Sequence, residues 1–405
     1  MATPTAPTPE PLPVQPTERQ PGGEPLEALD LLSGDAHTFR EKIWASRIHL
    51  HHTDPERLVR FLSYDDVDRL LTGTAIRTPA VRIARDGSVL PSSSYTRHAT
   101  LAGQPLTGLL DPRKVFALFE EGATVVLQGL HRYWEPLGAL VADLELALGH
   151  PCQANAYLTP PGSQGFAVHE DTHDVFVFQT HGTKVWEVGE PDPDGRRQTV
   201  VLEPGVSMYL PTGTPHAARA EDGVSLHVTI GINQVTWRQV VERALAGVLD
   251  EVGAQHLPAG YLDDPALLSD GLADRLDRVV DELRGLDPER VADTEVHRFL
   301  TGRTLWQRGG LRDRIEARDL DDETLLERRP GHPCVLRPAG DRLRVLLGDR
   351  ELLVPARLAD ALETVRTAGT LRPVDLADHL DAQSRVVLCR RLVREGLLRV
   401  RAADG

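Results

Sequence analysis

Val168-His169-Glu170-Asp171-Thr172-His173, followed by Lys184 and then by Tyr209-Leu210-Pro211-Thr212-Gly213-Thr214-Pro215-His216, is the stretch whose reading decides the fold. Side chains alternate across a β-strand, so a His and an Asp two positions apart on a strand share one face. His216 follows a tight proline-glycine turn that can bring a second imidazole to that face. Two imidazoles and a carboxylate together suit a borderline divalent metal and leave its other positions open, the ligand set of non-haem Fe(II) chemistry.

Short apolar runs surround this stretch: QANAYLT (153–159), QGFAVHED (164–171), DVFVFQT (174–180), TKVWEVG (183–189), QTVVLE (198–203), SMYLP (207–211), HAARA (216–220) and SLHVTIGI (225–232). Pro160-Pro161-Gly162, His181-Gly182, Pro193-Asp194-Gly195, Pro204-Gly205, Thr212-Gly213 and Asp222-Gly223 separate them as turns. Eight short strands at this spacing predict a double-sheet jelly roll, of which cupins are one kind.

Upstream, LEALDLL, FREKIWASRIHLHH and DPERLVRFLSYDDVDRLL read as helices, and so do DPRKVFALFEEG and 131–149, each of the last two closed by a glycine. AVRIA (80–84) and TVVLQGL (124–130) read as strands. Residues 1–25 are rich in Pro, Thr and Glu and are expected to be a disordered tail. Downstream of 235 the apolar residues recur at three- and four-residue steps, which predicts a helical block over 236–325. In 330–405, paired strands (RLRVLLG, RELLVP), helices and a closing strand LLRVR predict a winged-helix-like domain, a variant of helix-turn-helix architecture, with RDLDDETLLERRPGHP as a charged linker before it. The fold class expected is therefore α+β, mainly β, with 26–235 as the barrel domain and its helical N-terminal part.

Bulk properties narrow the function classes. A chain of 405 residues with 40% hydrophobic and 26% charged residues is an ordinary globular composition for two or three domains. A net charge of −15 disfavours non-specific nucleic-acid binding by the whole chain. No apolar run long enough for a membrane span and no secretory leader pattern is present, and Cys152, Cys334 and Cys389 are odd in number and far apart. A reducing, cytoplasmic setting is expected. Lysine is scarce: only Lys42, Lys114 and Lys184 occur, against 42 arginines.

Lys184 on the neighbouring strand can supply a buried cation for the distal carboxylate of an oxo-acid, although a lone lysine before Trp186 also reads as a surface residue. Asn155 and Tyr157 share a face of the preceding strand and can hydrogen-bond the same acid, as can Ser225. His173, His181 and His227 compete as ligands but read as strand-edge, solvated and packing residues respectively.

Residues 153–232, with His169-Glu170-Asp171, Lys184 and YLPTGTPH (209–216), resemble the JmjC-type cupin of the ribosomal oxygenases. The likeness extends over roughly 30–400. It implies a double-stranded β-helix followed by a dimerisation block and a winged helix. It also implies Fe(II) at His169, Asp171 and His216, the distal carboxylate of 2-oxoglutarate on Lys184, and Asn155, Tyr157 and Ser225 around the co-substrate. The implied reaction uses O2, releases succinate and CO2, and hydroxylates a His or Arg side chain of a ribosomal protein, with the enzyme a homodimer. Glu170 stands where an aromatic residue is common in that family. Three alternatives stay open at this stage: the same chemistry on a peptide or small natural product, a metal-binding cupin without oxidative chemistry, and a ligand-sensing regulator that binds DNA through its winged helix. The net charge of about +3 over 331–405 is thin for the last of these.

Overall fold

The structure, a computed structural model, describes residues 27–163, 167–189, 197–252 and 256–401. The tail expected at 1–25, the first residues of the strand expected at 164–171 and the turn expected at Pro193-Asp194-Gly195 lie outside them. The chain divides into two compact units at Asn233/Gln234.

In the first unit, α1 (Ala28–Ser33) and α2 (Ala36–Lys42) precede β1 (His49–His52), α3 (Pro55–Val59) and α4 (Tyr64–Gly73). Then come β2 (Val81–Arg85), β3 (Ser88–Val89), a hairpin of β4 (Thr96–Leu101) and β5 (Gln104–Leu110), α5 (Pro112–Glu120), β6 (Thr124–Leu127) and α6 (Glu135–Leu148). The barrel strands are β7 (Cys152–Thr159), β8 (Asp174–His181), β9 (Lys184–Gly189), β10 (Arg197–Leu202), β11 (Val206–Leu210), β12 (His216–Arg219) and β13 (Ser225–Ile232).

Two of the expected helices break, one for a long-range and one for a local reason. FREKIWASRIHLHH ends its helix at Lys42, and His49–His52 instead pairs antiparallel with β11, so that tertiary pairing overrides helical propensity. DPERLVRFLSYDDVDRLL becomes two helices, because Ser63 and Asp66 form a reciprocal capping box that starts α4 afresh.

The strands form an eight-stranded sheet in the order β1-β11-β8-β13-β7-β6-β2-β3, facing a three-stranded sheet β10-β9-β12. Period-two alternation explains how one strand serves two cores. Val175 and Val177 of β8 join Trp186, Val188, Leu202 and Met208 between the sheets. Phe176 and Phe178 face the other way, packing with Phe39 and Tyr209 and the N-terminal helices. Each fully buried phenylalanine contributes roughly 1.5–3 kcal/mol of transfer free energy. Burial on both faces is why DVFVF reads as a continuous apolar run instead of an alternating one.

The second unit begins with α7 (Trp237–Val252), α8 (Ala266–Arg284), α9 (Pro288–Thr301) and α10 (Gly310–Glu316). It continues through β14 (Leu326–Arg328), β15 (Val335–Ala339), β16 (Arg342–Leu346), β17 (Glu351–Pro355), α11 (Ala359–Thr367), β18 (Thr370–Leu371), α12 (Ala382–Arg394) and β19 (Leu398–Val400). The charged segment expected as a linker instead contributes β14 to a β18-β14-β19 sheet and a buried Arg329, whose guanidinium pairs with Asp313 and donates to Gly396 O. VDLADHL forms only a 3-10 turn at Pro373–Leu376. Among the described residues, no helix is long and apolar enough to cross a membrane.

Candidate active site

His216 opens β12, delivered by the turn that follows β11. That turn is fixed by Asp174 at the start of β8, whose buried carboxylate accepts from Thr212 N–H (2.8 Å), Thr212 Oγ1 (2.7 Å) and the Tyr209 hydroxyl. His169 and Asp171 do not lie on a strand, contrary to the expectation for 164–171. They occupy an irregular segment joined to β12 by one reciprocal backbone pair: His169 N–H to His216 O at 3.0 Å and His216 N–H to His169 O at 2.9 Å. Gly213 N–H also donates to Asp171 O at 3.0 Å. The His-x-Asp segment therefore rides on the loop that carries the other histidine. Glu170 between them is exposed.

Ligand atoms of His169, Asp171 and His216 all lie within 4.8 Å of one another. His169 Nδ1 is 2.9 Å from Ala167 O, and His216 Nδ1 is 2.9 Å from Thr214 O. A carbonyl can only accept, so each Nδ1 carries the proton and each Nε2 presents its lone pair. His216 Nε2 stands 3.7 Å from Asp171 Oδ2. Burial holds the His216 imidazole below its ordinary pKa and so favours the neutral ligand form, although the bond to Thr214 opposes this. This set of donors fits a divalent transition metal.

The three residues line a cavity of about 370 Å3 that also contains Lys184, Asn155 and Tyr157. Lys184 is only 3% exposed, and its Nζ donates to Thr159 Oγ1 at 3.1 Å. Burial lowers its pKa to about 7, and no carboxylate among the described residues offsets that cost. A desolvated ammonium without a counter-ion in a cavity wall fits an anionic ligand. Asn155 Oδ1 accepts from Gly129 N–H at 3.0 Å, which fixes the amide on the cavity wall. Tyr157 stacks on His227 with centroids 4.8 Å apart and planes 3° from parallel, while Trp186 meets His227 edge-on at 5.4 Å. Burial, reinforced by the charge of Lys184, keeps His227 neutral, its pKa well below the ordinary value.

Ser225 departs from expectation. It is fully buried, does not line the cavity, and accepts from Gln179 Nε2 at 2.9 Å. Its place at the first residue of β13, opposite Thr159, puts it beyond the cavity floor. Two positions the sequence reading missed do line the cavity. Thr229 lies opposite Asn155 on β13, and alternation from His227 could have found it. Arg82 reaches in from β2 and carries no sequence signal among 42 arginines. His173 and His227 also line the cavity, and His181 is exposed, its ring 5.8 Å from that of Tyr64.

Residues 141–240 match the model of the JmjC domain. Over 176 residues the chain is 36% identical to the bifunctional lysine-specific demethylase and histidyl-hydroxylase NO66 of Branchiostoma floridae, a match covering 41% of this chain and 28% of that protein. It is 34% identical over 154 residues to human ribosomal oxygenase 1, covering 33% of this chain and 24% of that one. Those matches span about a quarter of the relatives' length. The fold is similar to that of YcfD, a ribosomal oxygenase from Escherichia coli solved with cobalt and 2-oxoglutarate: TM-score 0.52, 19% identity, 90% of this chain and 98% of that one. The first unit is thus a JmjC cupin-like fold of mixed α and β content. Residues 141–240 thus match the JmjC domain, and over part of its length the chain is similar to the ribosomal oxygenases.

Proposed function

We propose that the chain is an Fe(II)- and 2-oxoglutarate-dependent oxygenase that hydroxylates a protein side chain, His or Arg of a ribosomal protein. The observation that carries this reading is the pairing, in one cavity, of the His169–Asp171–His216 set with the buried Lys184, which has no carboxylate partner among the described residues. The metal and acid seen with the Escherichia coli protein are of the kinds these two features fit.

When bound, iron and 2-oxoglutarate supply the oxidising power: decarboxylation of the acid to succinate and CO2 is coupled to insertion of one oxygen atom of O2 into a C–H bond. The chain's own residues do the rest. His169, Asp171 and His216 hold the metal, with both Nδ1–H groups tied to backbone so that neither ring can turn away. Lys184 neutralises the distal carboxylate, and its bond to Thr159 aims the ammonium. Val175, Val177 and Trp186 keep part of the wall apolar, which strengthens that ion pair by excluding water. Tyr157, Asn155 and Thr229 offer hydrogen-bonding groups around the acid and the acceptor side chain. Ser225 takes no part in this proposal.

The second unit supports two further proposals. Trp237, Val241, Leu272, Leu276 and Val280 are exposed apolar residues on α7 and α8, in keeping with a dimerisation block over 236–325 that makes the protein a homodimer. The β16–β17 pair, α11, α12 and β19 support a winged-helix-like domain over 330–405. Light scattering on the eluting species gives twice the chain mass if the dimer forms, and a monomer removes that proposal. Buried free thiols at Cys152, Cys334 and Cys389 suit the reducing cytoplasm in which we place it.

The experiment that tests the function is formation of succinate from 2-oxoglutarate with Fe(II), O2 and ribosomal-protein peptides, with a +16 Da shift on the acceptor peptide. Stimulation by peptide with a matching shift is expected. Peptide-independent succinate formation with no shift in any of them would remove the protein substrate.

A further inference from the structure

β13 lines the cavity with His227 and Thr229, and alternation puts Gly231 next on the same face. A glycine inside a strand often marks a close approach by another group. Gly231 has no left-handed backbone to explain it, so the glycine serves space and not conformation. A Cβ here would stand 2.7 Å from His173 Nε2, 2.9 Å from His173 Cδ2 and 3.4 Å from Gln153 Cγ. The His173 imidazole therefore lies against the bare backbone of β13. Gln153 flanks the same spot, directly opposite Gly231 on β7.

These two side chains sit at the opposite end of the cavity from the lysine. Lys184 is tied to Thr159, six positions along β7 from Gln153, or roughly 20 Å at about 3.3 Å per residue. Burial follows the same axis: Lys184 and His227 are buried, whereas Gln153 and His173 are half-buried and His169 is exposed. On the oxygenase reading, on which this inference rests, 2-oxoglutarate extends from Lys184 towards the metal ligands. The acceptor then has to enter past Gln153 and His173. Both line the cavity, and neither side chain has a hydrogen-bond partner among the described residues. An uncharged imidazole and a primary amide each offer a donor and an acceptor. A peptide group offers one of each in return.

We propose that His173, seated in the notch left by Gly231, is a substrate-positioning residue: with Gln153 it forms a polar rim that holds the main-chain peptide group next to the acceptor residue. The rim thereby selects an acceptor carried on a polypeptide over the same side chain presented without its backbone.

The test uses the full chain loaded with Fe(II). Visible charge-transfer absorption on anaerobic addition of 2-oxoglutarate first checks the oxygenase reading by itself. Degenerate peptide pools with a fixed central His or Arg are then oxidised, at low concentration so that the rate reads kcat/KM, and scored for +16 Da on the fixed residue. Each pool is made unmodified, N-methylated at the fixed residue, and N-methylated at the residue after it. In wild type, at least one N-methylated form of the preferred pool should lose about tenfold or more. His173→Leu should lower kcat/KM for the unmodified pool by about tenfold, keep the 2-oxoglutarate midpoint of the charge-transfer titration, and respond to the same N-methylation by less than about threefold. His173→Gln, which puts an amide nitrogen at the reach of Nε2, should recover most of the loss. Gly231→Ala, which pushes the ring out of its notch, should resemble His173→Leu in the wild-type background, yet change kcat/KM by less than about twofold when added to His173→Ala. A residue that merely packs would leave the N-methylation penalty as large in His173→Leu as in wild type. That outcome overturns the proposal, as does a wild type that tolerates both N-methylations within about twofold. A raised 2-oxoglutarate midpoint in both His173→Leu and His173→Gln also overturns it, by making His173 part of the metal and co-substrate site, and so does an enzyme with normal charge-transfer absorption that oxidises no pool. A wild-type preparation lacking that absorption overturns the oxygenase reading, and the rim falls with it.

Discussion

The proposed metal ligands and the lysine share one cavity but are built in opposite ways. His169 is exposed and Asp171 half-buried, on a segment joined to β12 by a single backbone pair. Lys184 is buried in the β9 ladder, its Nζ tied to Thr159 on β7. A metal brings enough binding free energy to assemble loosely held ligands. A single ammonium must instead be desolvated in advance, at a cost to the fold that the arriving carboxylate offsets. The metal face is thus organised for assembly and the lysine end for preorganisation.

The largest expected effect falls on the metal face. His169→Ala, Asp171→Ala and His216→Ala should each abolish succinate formation, while the exposed His169→Ala leaves the apo-protein's thermal midpoint nearly unchanged. A large loss of midpoint in His169→Ala would break the contrast, because it would make the segment a structural element. At the other end, Lys184→Met should raise the KM for 2-oxoglutarate by about tenfold or more, yet stabilise the apo-fold by about 1–4 kcal/mol, since it removes an uncompensated buried charge. Chemical denaturation of the two apo-proteins checks the sign.

The same lysine gives a pH dependence. Its folded-state pKa of about 7 lies below the ordinary value of 10.5, so between those limits the unfolded chain binds the extra proton. Apo-stability should therefore rise with pH through that window. Co-substrate binding runs the other way. The carboxylate favours the ammonium form, so the KM for 2-oxoglutarate should be lowest below pH 7 and rise by up to about tenfold per unit above it. A flat profile in wild type, or an unchanged one in Lys184→Met, would contradict the assignment.

Smaller effects should come from the supports. Asp174→Ala strands the Tyr209 hydroxyl and the Thr212 donors, and should cost about 2–4 kcal/mol, with weaker metal retention measured by chelator competition. Ser225→Ala should cost about 1 kcal/mol at most and leave the KM for 2-oxoglutarate unchanged, because its hydroxyl serves Gln179.

What the sequence made legible was whatever repeats or pairs locally. Short apolar runs punctuated by Pro and Gly turns exposed β7 to β13, and the turn before His216 is written in Pro211, Gly213 and Pro215. His-x-Asp drew attention to the right residues for a partly wrong reason, since the two side chains converge from an irregular segment and not from a strand. His49–His52 was misread because its partner, β11, lies far away in the chain. Ser225 was misplaced because alternation gives a face but not a depth along the strand. The place of Arg82 in the cavity wall was invisible because it depends on a row across β2, β6 and β7 that only the folded sheet creates.

The central claim is that one cavity binds a metal through His169, Asp171 and His216 and a dicarboxylic oxo-acid through Lys184. Anaerobic titration of the Fe(II)-loaded protein with 2-oxoglutarate, followed by visible absorption, tests it most directly. A charge-transfer band should grow to one equivalent per chain, vanish in Asp171→Ala, and require far more 2-oxoglutarate in Lys184→Met. Absence of the band in wild type, or an identical band and midpoint in both variants, would contradict the account.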